Sequence, residues 1–513
     1  LSKPGDSFEN FYQVILRYLV NGAITIEITT NKDDKIDVPF YLIFRASGIV
    51  GDADIVNHIT YGLDNTDPVS KEMMDILYKS FTLDDPKFAP IKNSTDPHEI
   101  ISFIGQKIDE GANLAAAAKD DNMQRHINSK ILRVIDNYIL PHIGNTPAHR
   151  VSKMRFIGHL INKLLRVYMG VLEPTDRDSY RNKRILAAGT TLAKAYKTHF
   201  NFAIVQAIRK RLRHDFRSTP FSSVRLEDSV RDAIKADKLD QLLTKSITNG
   251  GATLTIGRNQ IPNRVSSQQL YHKNDIAVMS TLNNISAQSA GVSKQNERAD
   301  QMRRVHPTML GFADPSQSPD TGEGVGRNKQ MAVTATICGA SSSFIVKNIL
   351  LEDPAIIPLD KITPEQITAN QYAKVFVNGD WIGCCQKSHD LAYKYRMARR
   401  HGQLGTTTTI FWNPLEREIY FYTDVGRLIR PLIIVYNNYS EYVEAQRAGK
   451  KDFKFRQWIK LTKTHINKLR TKKMTIDDLL AERIVEYIAP EEQENCYLAN
   501  NLDTLRKNIN DIR

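Results

Sequence analysis

The stretch from Arg303 to Ala335 contains so many prolines and glycines that no long helix or strand can run through it. Three prolines fix the backbone, and three glycines then follow at alternate positions: Pro307, Pro315, Pro319, Gly322, Gly324 and Gly326. Basic residues stand at both ends, with Arg303 and Arg304 before and Arg327 and Lys329 after. The stretch therefore predicts a shaped loop suited to a polyanion or a closely packed neighbour, and an ordinary surface loop is the alternative.

This loop follows a long region of helical pattern and precedes a region of strand pattern. Residues 13–50 look strand-rich, because 23–28 alternates and 39–45 is a short apolar run bounded by turn residues. From about 51 to 215 apolar residues recur at helical spacing, as they do between 157 and 168. Such stripes are typical of core faces, so this region predicts a helical lobe on a base of strands.

A further helix is predicted after Arg184. Its expected inner stripe is formed by Ile185, Ala188, Gly189, Leu192, Ala193, Tyr196 and Phe200. Its outward face and the following segment are basic over about forty residues: Lys183, Arg184, Lys194, Lys197, Arg209, Lys210, Arg211, Arg213 and Arg217. A solvated face explains such a run, and contact with nucleic acid explains it equally well.

Strands are predicted from Val375 onward. Asn378-Gly379 is a strong hairpin signal within residues 375–383, and residues 408–423 predict a second hairpin. Residues 447–473 then form another basic segment with three aromatic residues interleaved: Phe453, Phe455 and Trp458. That pattern is typical of a nucleic-acid surface, and it is equally typical of an amphipathic helix packed through its side-chain stems.

Composition favours an acidic partner. The 513 residues contain 70 Lys and Arg against 57 Asp and Glu, a formal charge of +13. Such an excess favours nucleic acid above all. Four cysteines without a Cys-x-x-Cys spacing fit a reducing compartment and make a cysteine-based zinc site improbable. No apolar run reaches the roughly 18 residues of a membrane span. The sequence contains no Ser-His-Asp order typical of a catalytic triad, no His-Glu-x-x-His motif and no Walker sequence.

Six motifs occur in chain order, at residues 39–49, 176–189, 315–328, 377–383, 423–432 and 484–492, and together they resemble those of the second-largest subunit of multisubunit DNA-directed RNA polymerases. Residues 39–49 resemble the family's P-x-x-x-x-F-R-A-L-G stretch, and residues 176–189 its D-R-D-x-x-x-x-K-R-L-x-L-A-G motif. Residues 315–328 are similar to its fork sequence. The motifs V-N-G-x-W-x-G and T-D-x-G-R-x-x-R-P-L, and the sequence V-E-Y-I before paired acids, resemble residues 377–383, 423–432 and 484–492.

The resemblance implies an α+β multidomain fold. It consists of a helical lobe with a strand base (1–200), a mixed fork region (201–350), a β-rich first external domain (351–440) and part of a second (441–513). Two departures stand out: the family's acidic fork residue would be Asp320, and its paired fork arginines align with Asn283 and Asn284. Such divergence favours an origin in a large DNA virus.

The resemblance also implies a role without a catalytic residue in this chain. Magnesium would be held by the largest subunit, and the partners would be that subunit, the rest of the second subunit, DNA template and RNA product. We expect an intracellular location, in a viral factory or virion if viral and otherwise in the nucleus or cytoplasm, and no membrane. We take the chain for a fragment or a processed piece, since it starts without Met.

Within this role, the residues expected to contact nucleic acid are Arg181, Lys183, Arg184, Arg264, Gln268, Arg303, Arg304, Asp320, Arg327 and Lys329. The alternative is a free-standing, non-catalytic nucleic-acid-binding protein built from polymerase domains. The polymerase hypothesis predicts exposed apolar patches between residues 240 and 340 of the isolated chain, whereas the alternative predicts a closed surface.

Overall fold

A computed structural model gives the fold of this chain. It describes residues 14–29, 35–61, 68–83, 85–108, 132, 135–137, 139–218, 226–234, 236–248, 255–256, 259–260, 270, 272–286, 301–322, 324–369, 371–438, 441, 444, 447–448, 456–501 and 503–504. The chain divides into two compact units: one holds 1–59, 65–172 and 186–299, and the other holds 60–64, 173–185 and 300–513. The mixture of helices with several small sheets confirms the α+β, multidomain fold class. The predicted domain boundaries stay predictions.

The first unit combines helices with a three-stranded antiparallel sheet, β1-β2-β3, and a two-stranded one, β4-β5. Its strands are β1 (Ile15–Tyr18), β2 (Ile24–Thr29), β3 (Lys35–Pro39), β4 (Thr255–Ile256), β5 (Asn259–Gln260) and β6 (Asn284–Ser286). Its helices are α1 (Phe40–Ala46), α2 (Asp52–Thr60), α3 (Pro68–Thr82), α4 (Pro97–Ile108), α5 (Arg150–Tyr168), α6 (Ala188–Phe200), α7 (Ala207–Ser218), α8 (Leu226–Ala233), α9 (Ala236–Thr248) and α10 (Asp275–Leu282). A π-helical turn, Asn201–Gln206, joins α6 to α7.

The order β1-β2-β3 gives the strand base that the alternating pattern predicts. The apolar run that follows, however, is a helix rather than a strand. All seven residues of α1 are buried, and extended Pro39 begins it. A short apolar run has no period that separates a buried strand from a buried helix, so the strand prediction was wrong for this reason. Arg45 can be buried there because it donates to the carbonyls of Lys92 and Ser94 and pairs with Asp52.

The stripe predicted between residues 157 and 168 lies on α5, where Ile157, Ile161 and Leu165 are fully buried as predicted, whereas Tyr168 at its end is 59% exposed. The inner stripe predicted for α6 is wrong. Leu192 is 50% exposed and Tyr196 49% exposed, whereas the small Ala195 is buried. Helix α9 packs against α6. A periodic pattern shows that a helix is amphipathic, but it does not show which side a neighbour covers.

Lys153 on α5 is fully buried, and its ammonium donates to the carbonyls of Ile135 and Asp136, at 3.1 and 2.6 Å. Burial lowers its pKa to about 8. Between that value and the unfolded value near 10.5 the unfolded chain binds more protons, so stability must rise with pH across this window. We expect the free energy of unfolding to rise, relative to Lys153→Met, by up to about 3 kcal/mol between pH 7.5 and 10.5. Urea titrations of both proteins at several pH values measure the free energy of unfolding. A difference between the two proteins that does not change with pH would contradict the prediction.

The second unit is built on small sheets. Its strands are β7 (Ala313–Asp314), β8 (Asn328–Met331), β9 (Thr336–Ile337), β10 (Ile356–Pro358), β11 (Ala373–Val377), β12 (Asp380–Cys385), β13 (Thr409–Asn413), β14 (Glu418–Tyr422), β15 (Leu428–Ile433), β16 (Val435–Asn437), β17 (Gln457–Ile459) and β18 (Val485–Ile488). Its helices are α11 (Ser343–Leu351), α12 (Pro364–Ala369), α13 (Ser388–Arg400), α14 (Lys463–Arg470), α15 (Ile476–Ala481) and α16 (Pro490–Gln493).

Five strands form the main sheet of this unit, in the order β10-β12-β11-β14-β13, and helices α11 and α13 contribute to the core on it. Asn378 and Gly379 join β11 to β12 with φ of +48° and +81°, the left-handed pair that a type I′ turn requires. Strands β18, β15 and β9 form a second sheet, and β16 pairs with β17. The antiparallel pairs β11–β12 and β13–β14 confirm both predicted hairpins. No helix among the described residues is long and apolar enough to cross a membrane.

Candidate nucleic-acid interface

The segment 173–185 lies against the Pro- and Gly-rich loop within the second unit. A short 3-10 turn, Tyr180–Asn182, is capped by Ser179, and the amide of Tyr180 donates to the hydroxyl of Thr308 at 2.9 Å. The ring of His306 contacts the carboxylate of Asp176 at 2.6 Å. These contacts hold two basic segments, far apart in sequence, as one surface.

Two hydrogen bonds close the Pro- and Gly-rich loop near its glycines. The guanidinium of Arg303 donates to the carbonyl of Val325, and the amide of Gly326 donates to the hydroxyl of Ser318 at 2.7 Å. Gly326 has φ +65°, and a Cβ built on it would lie 2.4 Å from the carbonyl oxygen of Arg303. Only glycine fits this position without displacing the backbone of Arg303.

Gly326→Ala is therefore expected to lower the free energy of unfolding by about 2 kcal/mol and to loosen residues 318–329, since it adds a backbone clash to the strain of a positive φ. Gly322→Ala is the matched control, because Gly322 has φ +90° but nothing lies within 4 Å of the point that a Cβ would occupy there. Hydrogen exchange of the loop amides measures the difference. Equal exchange in the two variants would show that the close approach to Arg303 does not matter.

Two lysines converge on one buried tyrosine. The ammonium of Lys183 lies 5.2 Å from the ring centroid of Tyr180, and that of Lys329 lies 5.9 Å from it. Burial lowers the pKa of both lysines, and the charge of Lys183 lowers that of Lys329 further. Burial raises the pKa of Tyr180 to about 12. Asp178, 3.8 Å from Lys183, opposes the lowering of its pKa. The arrangement concentrates positive charge at a partly dehydrated point, where an anion would be attracted strongly.

Two arginines of the same segment are held by carboxylates of the chain itself. Arg181 pairs with Glu494 at 2.8 Å, and Arg184 pairs with Asp424 at 2.6 Å and with Glu491 at 3.2 Å. Burial alone would lower the pKa of Arg184, but the two carboxylates raise it. The guanidinium of Arg184 therefore connects parts of the unit, and any contact with nucleic acid would compete with these pairs.

The other predicted residues differ in exposure. Arg304 and Asp320 are exposed, Arg303 and Arg327 are half-buried, and Lys329 is buried. Arg264 and Gln268 lie outside the described residues. The sequence prediction did not include Arg177, which is exposed on the segment 173–185. Its position in the motif at residues 176–189 was the available signal.

The basic run of the first unit lies on helix α7, as the charge pattern predicts. Five of its cations reach solvent: Arg209, Lys210, Arg211, Arg213 and Arg217. Arg211 has two acidic neighbours, Asp215 at 3.1 Å and Asp232 at 3.5 Å. This face has the charge needed to neutralise phosphates without reading sequence.

No three metal-ligating side chains come together in the part of the chain that the structure describes. The acidic residues near the segment 173–185 instead contact arginine, lysine, histidine or backbone amides. The described side chains therefore do not fit a metal centre.

Comparison with known proteins adds three domain families, which match in chain order. RNA polymerase Rpb2, domain 2, matches residues 17–186; domain 3 of the same protein matches 268–337; and domain 4 matches 375–436. The three matched ranges contain four of the six sequence motifs and most of a fifth, at residues 176–189, and the sixth follows them.

Whole-chain comparison gives similar proteins from archaea and eukaryotes. The DNA-directed RNA polymerase subunit Rpo2 of Sulfolobus acidocaldarius is 26% identical over 95% of this chain and 38% of its own length. The Rpo2 subunit of Saccharolobus solfataricus is 28% identical over 90% of this chain and 36% of its own. The RNA polymerase II subunit RPB2 of Encephalitozoon cuniculi is 26% identical over 92% and 36%. The chain thus spans somewhat more than a third of these relatives.

Proposed function

Since the chain belongs to the family of second-largest subunits of DNA-directed RNA polymerase, we propose that it lines the DNA channel and the fork above the active centre during transcription. The observation that carries the proposal is the ordered match of Rpb2 domains 2, 3 and 4 along one chain. A net charge of +13 supports contact with nucleic acid. The proposed work is positional: cations hold phosphates, while nucleotidyl transfer takes place elsewhere in the assembly.

Exposed apolar side chains support assembly with other subunits. In the first unit, α10 has no buried residue, and Ile276, Met279 and Leu282 are all exposed. In the second unit, Leu310 and Val333 are exposed. These residues lie in the region where the polymerase hypothesis expects unpartnered apolar surface, and single subunits of larger assemblies commonly expose such surface.

We infer that the partners are the largest polymerase subunit and the remaining sequence of the second subunit, with DNA template and RNA product as ligands. Magnesium would be held by the largest subunit, and this chain would supply no ligand to it. The relatives are archaeal and eukaryotic, so a viral origin, and with it a viral factory or virion, stays a prediction.

Purification of the natural chain with its bound partners tests this proposal. We expect a largest polymerase subunit to co-purify, and mass spectrometry of the intact proteins to show whether the rest of the second subunit belongs to the same polypeptide. Co-purification of the largest subunit at stoichiometric amounts would support the proposal. A natural chain that purifies without any polymerase subunit would overturn it.

A further inference from the structure

The ribbon formed by β16 and β17 carries an aromatic pair, half-buried Tyr436 and exposed Trp458, that the proposed fork function does not use. Tyr436 and Trp458 face each other across the ribbon, with ring centroids 6.2 Å apart and planes inclined by 20°. Tyr436 is fixed, because its hydroxyl donates to the carbonyl of Arg483 at 2.6 Å. Trp458 is 46% exposed. One face of the indole is therefore supported by Tyr436, and much of the ring remains open to solvent.

Positive charge surrounds this pair. The ammonium of Lys460 lies 4.3 Å from the ring centroid of Tyr436. Arg456 and Lys460 flank strand β17, two residues on either side of Trp458. From Arg456 to Lys473 the chain has seven cations and no acidic residue: Arg456, Lys460, Lys463, Lys468, Arg470, Lys472 and Lys473. All seven are exposed.

The segment from Arg456 to Lys473 is held in place by its own packing and capping, so its cations have a defined position. Three of its apolar residues, Leu461, Leu469 and Met474, pack with Leu479 and Ile484 in a small core. Thr462 caps helix α14 through the His465 side chain. The cations are consequently on the outer surface because the opposite side of the segment forms a small core. Packing of an amphipathic element explains its apolar side, but it does not explain an exposed tryptophan beside a run of cations.

We propose that this surface, the Trp458 platform (Tyr436, Arg456, Trp458 and Lys460), binds single-stranded nucleic acid. A base stacks on the open face of Trp458, and the flanking cations neutralise adjacent phosphates. Base stacking on an aromatic ring does not depend strongly on sequence, and it requires unpaired bases. Duplex DNA keeps its bases stacked inside the helix, so it can use the cations but not the indole. An acidic protein segment could also use the cations, but it gains little from a flat aromatic face.

The test uses the 513-residue chain and two fluorescein-labelled 20-mers, oligo(dT) and oligo(rU). We expect Trp458→Ala to weaken binding about tenfold, and Trp458→Phe, which keeps a ring, to weaken it at most about threefold. Arg456→Gln with Lys460→Gln should lower the slope of log K against log salt by about 1.4, since each single-strand phosphate contact contributes about 0.7. Lys361→Gln, another exposed cation of the same unit, is the control and should change neither quantity.

A second readout reports on the indole directly. The chain has three tryptophans, and Trp458 is the exposed one, whereas Trp381 is buried and Trp412 is half-buried. Unlabelled oligonucleotide should quench the intrinsic fluorescence, and Trp458→Phe should abolish the quenching even if other parts of the chain still bind. Unchanged affinity in Trp458→Ala together with no quenching would overturn the proposal. Equal quenching by poly-glutamate would overturn it in favour of an acidic-peptide surface. Either result would leave the co-purification test of the polymerase assignment unaffected.

Discussion

Replacement of Arg399 by methionine is expected to lower the free energy of unfolding of the second unit by about 3–5 kcal/mol. The Arg399 side chain is 2% exposed and lies between Glu492, at 2.6 Å, and Glu486, at 3.0 Å. It also donates to the carbonyl of Thr408 at 2.8 Å. Glu492 is 1% exposed, so removal of the arginine leaves a carboxylate without solvent and with a reduced set of partners. Most of the lost stability comes from leaving the Glu492 carboxylate buried and poorly paired, and less comes from the lost attraction between the two charges.

Urea denaturation is the appropriate measurement for Arg399→Met, because guanidinium chloride would screen the charges. Arg470→Met is the control: Arg470 is exposed, and its loss should change stability by no more than about 0.5 kcal/mol. The double variant Arg399→Met with Glu492→Met should recover much of the loss, since well-packed apolar groups can replace a buried pair. A single variant as stable as the wild type would show that water reaches the carboxylates.

The pH dependence of this network follows from Glu486. Burial raises the pKa of Glu486, but the hydrogen bonds and charges of Arg400 and Arg399 outweigh burial and hold it below its usual value. The stability this provides is present above the unfolded pKa of about 4.3 and is lost as the pH falls through the folded value. The gap in stability between wild type and Arg399→Met should accordingly narrow below about pH 4.

Arg184→Gln is expected to destabilise the second unit by about 3 kcal/mol and to leave its affinity for nucleic acid unchanged. Arg184 was predicted to contact nucleic acid, yet its guanidinium pairs with Asp424 and with Glu491, which is 1% exposed. Burial raises the pKa of Glu491, and Arg184 opposes that rise. Without the arginine, folding must bury Glu491 either protonated or with weaker compensation.

Arg304→Gln gives the contrasting variant. Arg304 is exposed on the Pro- and Gly-rich loop, so its loss should change the free energy of unfolding by at most about 0.5 kcal/mol. The same substitution should weaken the binding of duplex DNA at low salt. Thermal unfolding and fluorescence anisotropy, measured on both variants at two salt concentrations, separate the two roles. If Arg184→Gln stays stable and binds DNA more weakly than Arg304→Gln, then Arg184 contacts nucleic acid after all.

Local chemistry was enough to predict elements whose formation depends on a few neighbouring residues. The Asn378-Gly379 turn is an example, because its left-handed backbone is a property of those two residues. The side of α6 that is buried could not be predicted in this way, since α9, about forty residues later, decides it. The run at residues 40–46 was misassigned because burial on all sides removes any periodic signal.

The candidate site shows the same limit. Charge pattern identified Arg181 and Arg184 as cations in a basic region, but their partners Glu494 and Glu491 lie more than 300 residues later in the chain. Pattern alone cannot distinguish a cation that faces solvent from one committed to a distant carboxylate. The family motifs contained this information in another form, since Asp424, Glu486 and Glu491 belong to them.

The pairing of Arg399 with Glu492 also limits how early the second unit can fold during its synthesis. The two residues are separated by 93 positions, so at roughly 5–20 residues per second the ribosome needs roughly 5–20 s to supply the carboxylate after the arginine is made. Throughout that interval helix α13 carries cations whose buried place is not yet available. We expect ribosome-bound chains that end near residue 470 to remain sensitive to protease around α13, and chains extended past Gln493 and out of the exit tunnel to become resistant. The main sheet would thus finish folding only when helix α16 arrives.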